Sequence, residues 1–237
     1  LGTCTTGANN TAVGKSALIA STTSDNNTAV GYSALAANTT GTANVALGAY
    51  ALDANTTGSH NTGLGYEALG ANTGSYNTAV GRYAMTLNTT GEDNTAVGYN
   101  AMTANTTGAQ NTALGASALG TNTTGANNTA IGVNALLVNT TGDKNTAVGQ
   151  FALDANTTAS NSTAVGYGAL GGNTTGSGNA AFGYNALLAN TTGDNNLCMG
   201  NSANYASVDG TENTAIGNFA MAGAAGERHN NTAVGYA

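Results

Sequence analysis

A 17-residue repeat runs through the whole chain and limits what it can fold into. Glycines that close an NTAVG-like block occur fourteen times, almost always 17 residues apart. Only two intervals differ, because Gly65 and Gly81 are 16 positions apart and Gly217 and Gly235 are 18 positions apart. The consensus is NTAVGYxALxxNTTGxx, and its positions are numbered one to seventeen from the first Asn. Because the repeat leaves no stretch for a second domain, we expect residues 1–237 to form one continuous array without caps.

The period is too short for a pair of helices. Helical-hairpin repeats need about 30 residues or more, and a repeat rich in Gly, Asn, Thr and β-branched residues disfavours helix. Each repeat therefore predicts one coil of a parallel β-solenoid, with NTAVG as one strand, xALx as a second and NTTGxx as the corner. Stacking at ~4.8 Å per coil predicts an all-β rod about 65 Å long, built from about fourteen coils.

Four positions of the repeat are apolar. Position four is always large and apolar, position nine is Leu or Met except at Asn204, and positions three and eight are nearly always Ala. We expect all four to face a thin core, so that Val97 and Leu119 are buried, whereas Asp143 and Lys144 at the variable corner face water. Asn at positions one and twelve should stack on its own copies as amide ladders. Glycines at positions five and fifteen should supply the freedom that corners require.

The composition argues against several classes of protein. Only 6% of the residues are charged, aromatics are 5%, and Trp and Pro are absent, where about 25% charged residues is usual. A conventional enzyme with a core of large side chains is therefore not expected. The net charge is −7 and the four cations are scattered, so we expect no nucleic-acid partner. No apolar run approaches the ~20 residues of a transmembrane helix, so we expect no membrane span.

The residues that could carry chemistry are few. His60 and His229 lie near position seventeen and far apart, which is typical of exposed loop residues rather than metal ligands. Cys198 replaces a position-three Ala and is interpreted as a small core residue, and Cys4 replaces a position-twelve Asn and is a candidate interchain thiol. The two thiols should lie roughly 50 Å apart, too far for an intrachain disulfide. We predict no catalytic, cofactor-binding or metal-binding residues, and hence no enzyme activity and no cofactor.

Two surface features leave alternatives open. The NTT sequence is an acceptor for N-glycosylation in a secretory context, but an inward Asn in a ladder could not carry a sugar. An aromatic residue at position six or seven forms an intermittent stripe, which we interpret as an interchain seam. The nine acceptor asparagines are Asn38, Asn55, Asn88, Asn105, Asn122, Asn139, Asn156, Asn173 and Asn190. The stripe contains Tyr32, Tyr50, Tyr66, Tyr83, Tyr99, Phe151, Tyr167, Tyr184, Phe219 and Tyr236.

The NTAVGYxAL blocks at Asn27–Leu35, Asn94–Met102 and Asn213–Met221 carry a family resemblance. They resemble the head repeats of trimeric autotransporter adhesins and, still more, the NTAxGYxAL…NTTG repeats of bacterial and phage tail-fibre-like proteins. The resemblance implies a left-handed parallel β-roll, three chains associated along the fibre axis, and a host-surface or glycan receptor. The 17-residue coil is longer than the adhesin coil of about fourteen residues, and no receptor-binding residue can be carried over.

The sequence thus predicts a structural β-solenoid segment of an extracellular fibre, filament or surface adhesin, located outside the cell or on a cell or virion surface. Its partner would be itself, as a homotrimer, a head-to-tail filament or both. The alternative is an ice-binding protein that uses rows of Thr at positions thirteen and fourteen. Because those two threonines are adjacent, strand alternation would send only one of them outward.

Overall fold

The computed structural model of the chain describes residues 5–223 and 228–236. The secondary-structure elements in this part of the chain are fourteen three-residue β-strands, one for each repeat. Each strand covers positions two to four, the TAV of the consensus. In chain order they are β1 (Thr11–Val13), β2 (Thr28–Val30), β3 (Val45–Leu47), β4 (Thr62–Leu64), β5 (Thr78–Val80), β6 (Thr95–Val97), β7 (Thr112–Leu114), β8 (Thr129–Ile131), β9 (Thr146–Val148), β10 (Thr163–Val165), β11 (Ala180–Phe182), β12 (Leu197–Met199), β13 (Thr214–Ile216) and β14 (Thr232–Val234).

The chain divides into two compact units. The first consists of Leu1–Ser117 and Asn122–Thr124, and the second of Ala118–Thr121 and Gly125–Ala237. In the first unit, β1 to β7 pair in chain order, each parallel to the next and in register, as in the pair Ala29 with Ala46. In the second unit, β8 to β14 pair in the same way. Each unit is therefore a parallel β-solenoid with one coil per repeat, which confirms the predicted fold class.

The core of each coil is built from small residues and one larger side chain. Ala at positions three and eight and Leu or Met at position nine are almost completely buried, as in Ala96, Ala101 and Met102. The predicted burial of Leu119 and the predicted exposure of Asp143 and Lys144 are confirmed. The coils are narrow because two of the three inward apolar positions carry only a methyl group.

The prediction that position four faces the core is wrong. Leu47 and Leu114 are 44% and 48% exposed, and Val97 is only partly buried. Successive side chains of a strand point to opposite faces, so when the position-three Ala points inward, positions two and four must point outward. Apolar character at position four therefore marks an outer surface rather than the core.

The xALx segment does not form a second strand. Positions seven and nine adopt left-handed backbone conformations in nearly every coil, as in Glu67 and Leu69 with φ of 53° and 57°. Such a conformation is unfavourable for side chains other than Gly, Asn and Asp. It persists here because each amide bonds to the neighbouring coil, as in the 3.0 Å bond that Glu67 N–H donates to Ala49 O.

The glycine at position five is required by both conformation and space. Gly31 has a φ of 139°, and a Cβ placed on it would lie 2.5 Å from Gly48 O of the next coil. A side chain here would be strained and would collide with backbone. The prediction for position five is thus confirmed. Position fifteen has no positive φ at Gly41, so the prediction of corner freedom there is wrong.

Candidate functional site

The outward side of the strands forms an uncharged surface in each unit, here called the outer strand face. It consists of the position-two and position-four side chains, which are mostly Thr and Val, Leu or Ile. No residue of these two rows is charged, although the chain carries a net charge of −7. Neighbouring coils present the same pair of groups about 4.8 Å apart. An array of methyl and hydroxyl groups at fixed spacing fits a second surface better than a small molecule.

Most of the aromatic stripe is a column of touching rings. In the first unit, ring centroids are 5.2 Å apart between Tyr32 and Tyr50, 5.9 Å between Tyr50 and Tyr66, and 5.5 Å between Tyr66 and Tyr83. These pairs meet edge to face, which is a favoured aromatic geometry. Rings from positions six and seven alternate along the column. A coil of this column without an aromatic residue at position six therefore contributes its ring from position seven. The predicted stripe is confirmed as an arrangement, and its role as an interchain seam stays a prediction.

The corners contain the predicted amide ladders. Asn55 donates its side-chain amide to Asn38 Oδ1 at 3.1 Å, one coil away at position twelve. At position one, Asn44 donates its backbone N–H to Asn27 Oδ1 at 2.9 Å. The carbonyl of Gly41 accepts from both ladders, at 2.9 Å from Asn27 Nδ2 and 3.0 Å from Asn38 Nδ2. Two ladders and a shared carbonyl therefore join each corner to the next.

The acceptor asparagines for glycosylation lie inside these ladders. All nine, from Asn38 to Asn190, have no exposed surface. An amide nitrogen that is buried and donates hydrogen bonds is inaccessible to a glycosyl group in the folded chain. The arrangement therefore favours the ladder interpretation over modification at these residues.

The hydroxyl groups of most position-thirteen threonines are also used in hydrogen bonds to the backbone of the next coil. Thr39 donates its hydroxyl to Thr56 O at 3.1 Å, and Thr106 does the same to Thr123 O at 2.9 Å. A hydroxyl that already donates to the backbone has no free proton for an external partner. The threonines at position two are therefore the better outward row, because their hydroxyls donate no hydrogen bond to the backbone within residues 5–223 and 228–236.

Cys198 is buried in the core, as predicted, and has an unusual neighbour. Burial raises the pKa of its thiol to about 12. Asn204 occupies the position of the core Leu and has no exposed surface. Neither polar atom of that amide has a hydrogen-bond partner in the described part of the chain. Cys4 lies outside the described residues.

The two histidines do not meet. His60 is exposed and stacks on Tyr76 with centroids 5.0 Å apart, and the Nδ1 atom of His229 lies 2.8 Å from the hydroxyl of Thr211. Within residues 5–223 and 228–236, no three His, Cys, Asp or Glu side chains come together in a way that could hold a metal ion. The absence of a catalytic site and of a cofactor stays a prediction.

Two surface cavities lie beside the aromatic residues, and the sequence did not predict them. One has a volume of about 320 Å³ and is lined by Tyr50, Asp53, Glu67, Gly70 and Thr86 among others. The other has about 400 Å³ and lies between Asn185, Ser202, Tyr205 and Phe219. The sequence feature that marks the first cavity is Gly70 at position ten, where most repeats carry a larger side chain.

Burial also acts on the carboxyl group at the first cavity. Desolvation raises the pKa of Asp53 above its ordinary value, and the nearby charge of Glu67 adds to this. Asp154, at the same repeat position in the second unit, has a pKa that is raised by desolvation. Both aspartates are half-buried.

Residues 5–223 and 228–236 contain no helix that could cross a membrane. The chain matches no protein-family model, and a search of curated proteins gives no match. The chain is a tandem-repeat protein of the β-solenoid class.

Proposed function

We propose that the chain is a structural segment of an extracellular fibre, filament or surface adhesin, which provides mechanical reach and display. The observation that carries this is the connection between coils. Each coil bonds to the next through its strand, its left-handed segment and two asparagine ladders, as at Thr28, Leu35 and Asn44. Solenoid stability is the sum of such nearest-neighbour contacts, so extension of the array adds stiffness without a larger core.

Self-association along the outer strand face is part of this proposal. Exposed apolar rows without charge mark interfaces, and Leu47 and Leu64 are consecutive exposed members of such a row, next to the partly buried Val30. A homotrimer is the state that the resemblance to adhesin heads favours. A host-surface or glycan receptor is likewise a proposal from that resemblance.

Oligomeric mass and electron microscopy test the fibre role together. Leu47→Lys with Leu114→Lys places two charges on the outer strand face of the first unit, and we expect the variant to dissociate to monomers. The matched control is Thr40→Lys with Thr107→Lys, at exposed corner positions of the same unit. Parent protein that is monomeric at all concentrations and shows no filaments in micrographs would contradict the proposal.

Ice binding is the second candidate, and the outer strand face favours it. The position-two threonines alternate with branched apolar side chains on a surface of regular spacing, as in Thr95 and Val97. This differs from the rows at positions thirteen and fourteen, where one hydroxyl is used by the backbone. A thermal-hysteresis assay on the parent and on Thr95→Lys separates the two functions. Activity in the parent that the Lys variant loses would favour ice binding.

A further inference from the structure

The 320 Å³ cavity in the first unit lies where one coil has a glycine, Gly70, at position ten between Asp53 and Thr86 of the adjacent coils. A methyl group placed on Gly70 would lie 3.6 Å from Asp53 Oδ1 and 3.7 Å from Thr86 Cγ2, which is ordinary contact distance. The space above Asp53 is therefore open, and a larger side chain at Gly70 would fill it without backbone strain, because Gly70 has no positive φ.

The cavity is negatively charged and its charges are not neutralised from within. Asp53 and Glu67 both line it, and each is half-buried. Neither forms an ion pair within the described residues. Arg82 is the cation in the nearby coils, but its guanidinium lies over the rings of Tyr66 and Tyr83, 4.6 Å from the Tyr83 centroid. Two carboxylates that repel each other in a partly desolvated space are stabilised by a cation between them.

One wall of the cavity is aromatic. Tyr50 lines it and stands in the ring column between Tyr32 and Tyr66. The face of an aromatic ring attracts cations, and it favours large, weakly hydrated organic cations, for which water competes least. The two carboxylates supply the long-range attraction, and the Tyr50 ring supplies the selectivity for an ammonium group with methyl substituents.

We propose that the cavity lined by Tyr50, Asp53, Glu67 and Gly70 binds a small organic cation of the alkylammonium class, with the quaternary trimethylammonium group as its best ligand. Asp53 and Glu67 provide the charge, and Tyr50 provides an apolar, electron-rich wall. Thr86 donates its hydroxyl to Glu67 O at 3.0 Å, which fixes the backbone from which the Glu67 side chain extends. Binding here is independent of the fibre role.

The second unit contains an internal comparison. Asp154, Phe151 and Gly171 occupy the repeat positions of Asp53, Tyr50 and Gly70. Gly168 stands where Glu67 stands in the first unit, so the second carboxylate is missing. Leu188 replaces Thr86, and its Cδ1 would lie 3.0 Å from a methyl group placed on Gly171. The second unit thus has the same coil geometry around Gly171, but it lacks the pair of carboxylates, and Leu188 partly fills the space.

The decisive experiment compares three probes by isothermal titration calorimetry on the full 237-residue chain at low ionic strength. The probes are choline, its neutral isostere 3,3-dimethylbutan-1-ol, and calcium chloride. We expect choline to bind at least about tenfold more tightly than the isostere, a difference of ~1.4 kcal/mol. Equal affinity for choline and the isostere would overturn the proposal, because the charge would then contribute nothing. Tighter binding of Ca²⁺ than of choline would also overturn it in favour of a metal site.

Substitutions of the cavity residues test whether choline binds at this site. Asp53→Asn and Glu67→Gln should each weaken choline binding about tenfold or more, and Gly70→Leu should abolish it by filling the cavity. Leu occurs naturally at this repeat position at Leu137 and Leu188, so the fold should tolerate it. The matched control is Asp154→Asn, which should leave choline affinity unchanged. If Asp154→Asn weakens binding as much as Asp53→Asn, or if choline fails to bind the parent at millimolar concentrations, the assignment is wrong.

Discussion

Asn27 Oδ1 accepts a 2.9 Å hydrogen bond from the backbone N–H of Asn44, a residue seventeen positions further along the chain. The same relationship joins Asn44 to Asn61, again at 2.9 Å. A side chain in each coil thus binds the backbone that starts the next strand. The ladder aligns successive strands, because a shift of one residue would leave the buried amide without its acceptor.

Asn44→Ala tests this role. The substitution removes the acceptor of the Asn61 N–H and the donor to Gly58 O, at 2.9 Å each. Loss of two buried hydrogen bonds, with one donor left unsatisfied, should lower the free energy of unfolding by on the order of 2 kcal/mol or more. Denaturant unfolding followed by circular dichroism measures this. Thr40→Ala, at an exposed position of the preceding repeat, is the control and should change stability by less than about 0.5 kcal/mol.

The alternation within each strand gives a second test. Ala96→Leu inserts a large side chain into the filled core and should destabilise the chain by about 1–3 kcal/mol through overpacking. Val97→Thr changes a neighbouring side chain that points outward, so its effect should stay below roughly 0.5 kcal/mol. Thermal unfolding of the two variants compares them directly. A larger loss for Val97→Thr than for Ala96→Leu would mean that the strand faces are reversed.

The raised pKa of Asp154 predicts a pH-dependent stability. Burial disfavours the charged form, so the folded-state pKa lies above the unfolded value. At pH values between the unfolded-state and folded-state pKa, the folded chain therefore binds more protons than the unfolded chain. The free energy of unfolding falls as the pH rises through this range. Asp154→Asn should therefore raise the melting temperature at neutral pH, and the gain should vanish below the ordinary pKa of 3.8. Asp93→Asn, at an exposed carboxylate, is the control.

Cys198 should be chemically inert in the folded chain. Burial raises the pKa of its thiol to about 12, and only the thiolate reacts quickly with disulfide reagents. In a Cys4→Ser background, Cys198 is the single thiol. We expect its modification by a chromogenic disulfide at mildly alkaline pH to follow unfolding, with a rate that rises sharply in denaturant. Rapid modification under native conditions would show that the core around Asn204 opens readily.

The sequence predicted the fold well because the repeat is itself the structural unit. A 17-residue period without helix-forming composition leaves one coil per repeat, and identical asparagines at one corner must lie above one another. It predicted position four less well, because an apolar residue in a three-residue strand such as Val97 can face either side. The choice depends on the position-three Ala, whose small size suits the narrow interior. The sequence did not indicate that Asp53 and Glu67 line the same cavity. They belong to different coils, and only the path of the folded backbone brings them to one place.

The coil that contains Cys198 and Asn204 departs from the repeat in two core positions at once. A thiol replaces the small Ala and a polar amide replaces the Leu, yet the Asn204 N–H still bonds Ala220 O at 2.8 Å, and its φ of 49° is close to the 54° of Leu187. The backbone is therefore that of a consensus coil, and the amide is left without partners. A buried polar group without a hydrogen bond costs about 1–3 kcal/mol.

Restoring the consensus should thus stabilise the chain. The double variant Cys198→Ala with Asn204→Leu is expected to raise the free energy of unfolding by about 1–3 kcal/mol. Asn204→Leu alone should gain less, because the Leu must share the core with the larger Cys198 side chain. The four species of this double-mutant cycle, measured by denaturant unfolding, give the coupling between the two sites. If the single Asn204→Leu change stabilises as much as the pair, the two substitutions do not compensate each other, and the amide alone weakens this coil.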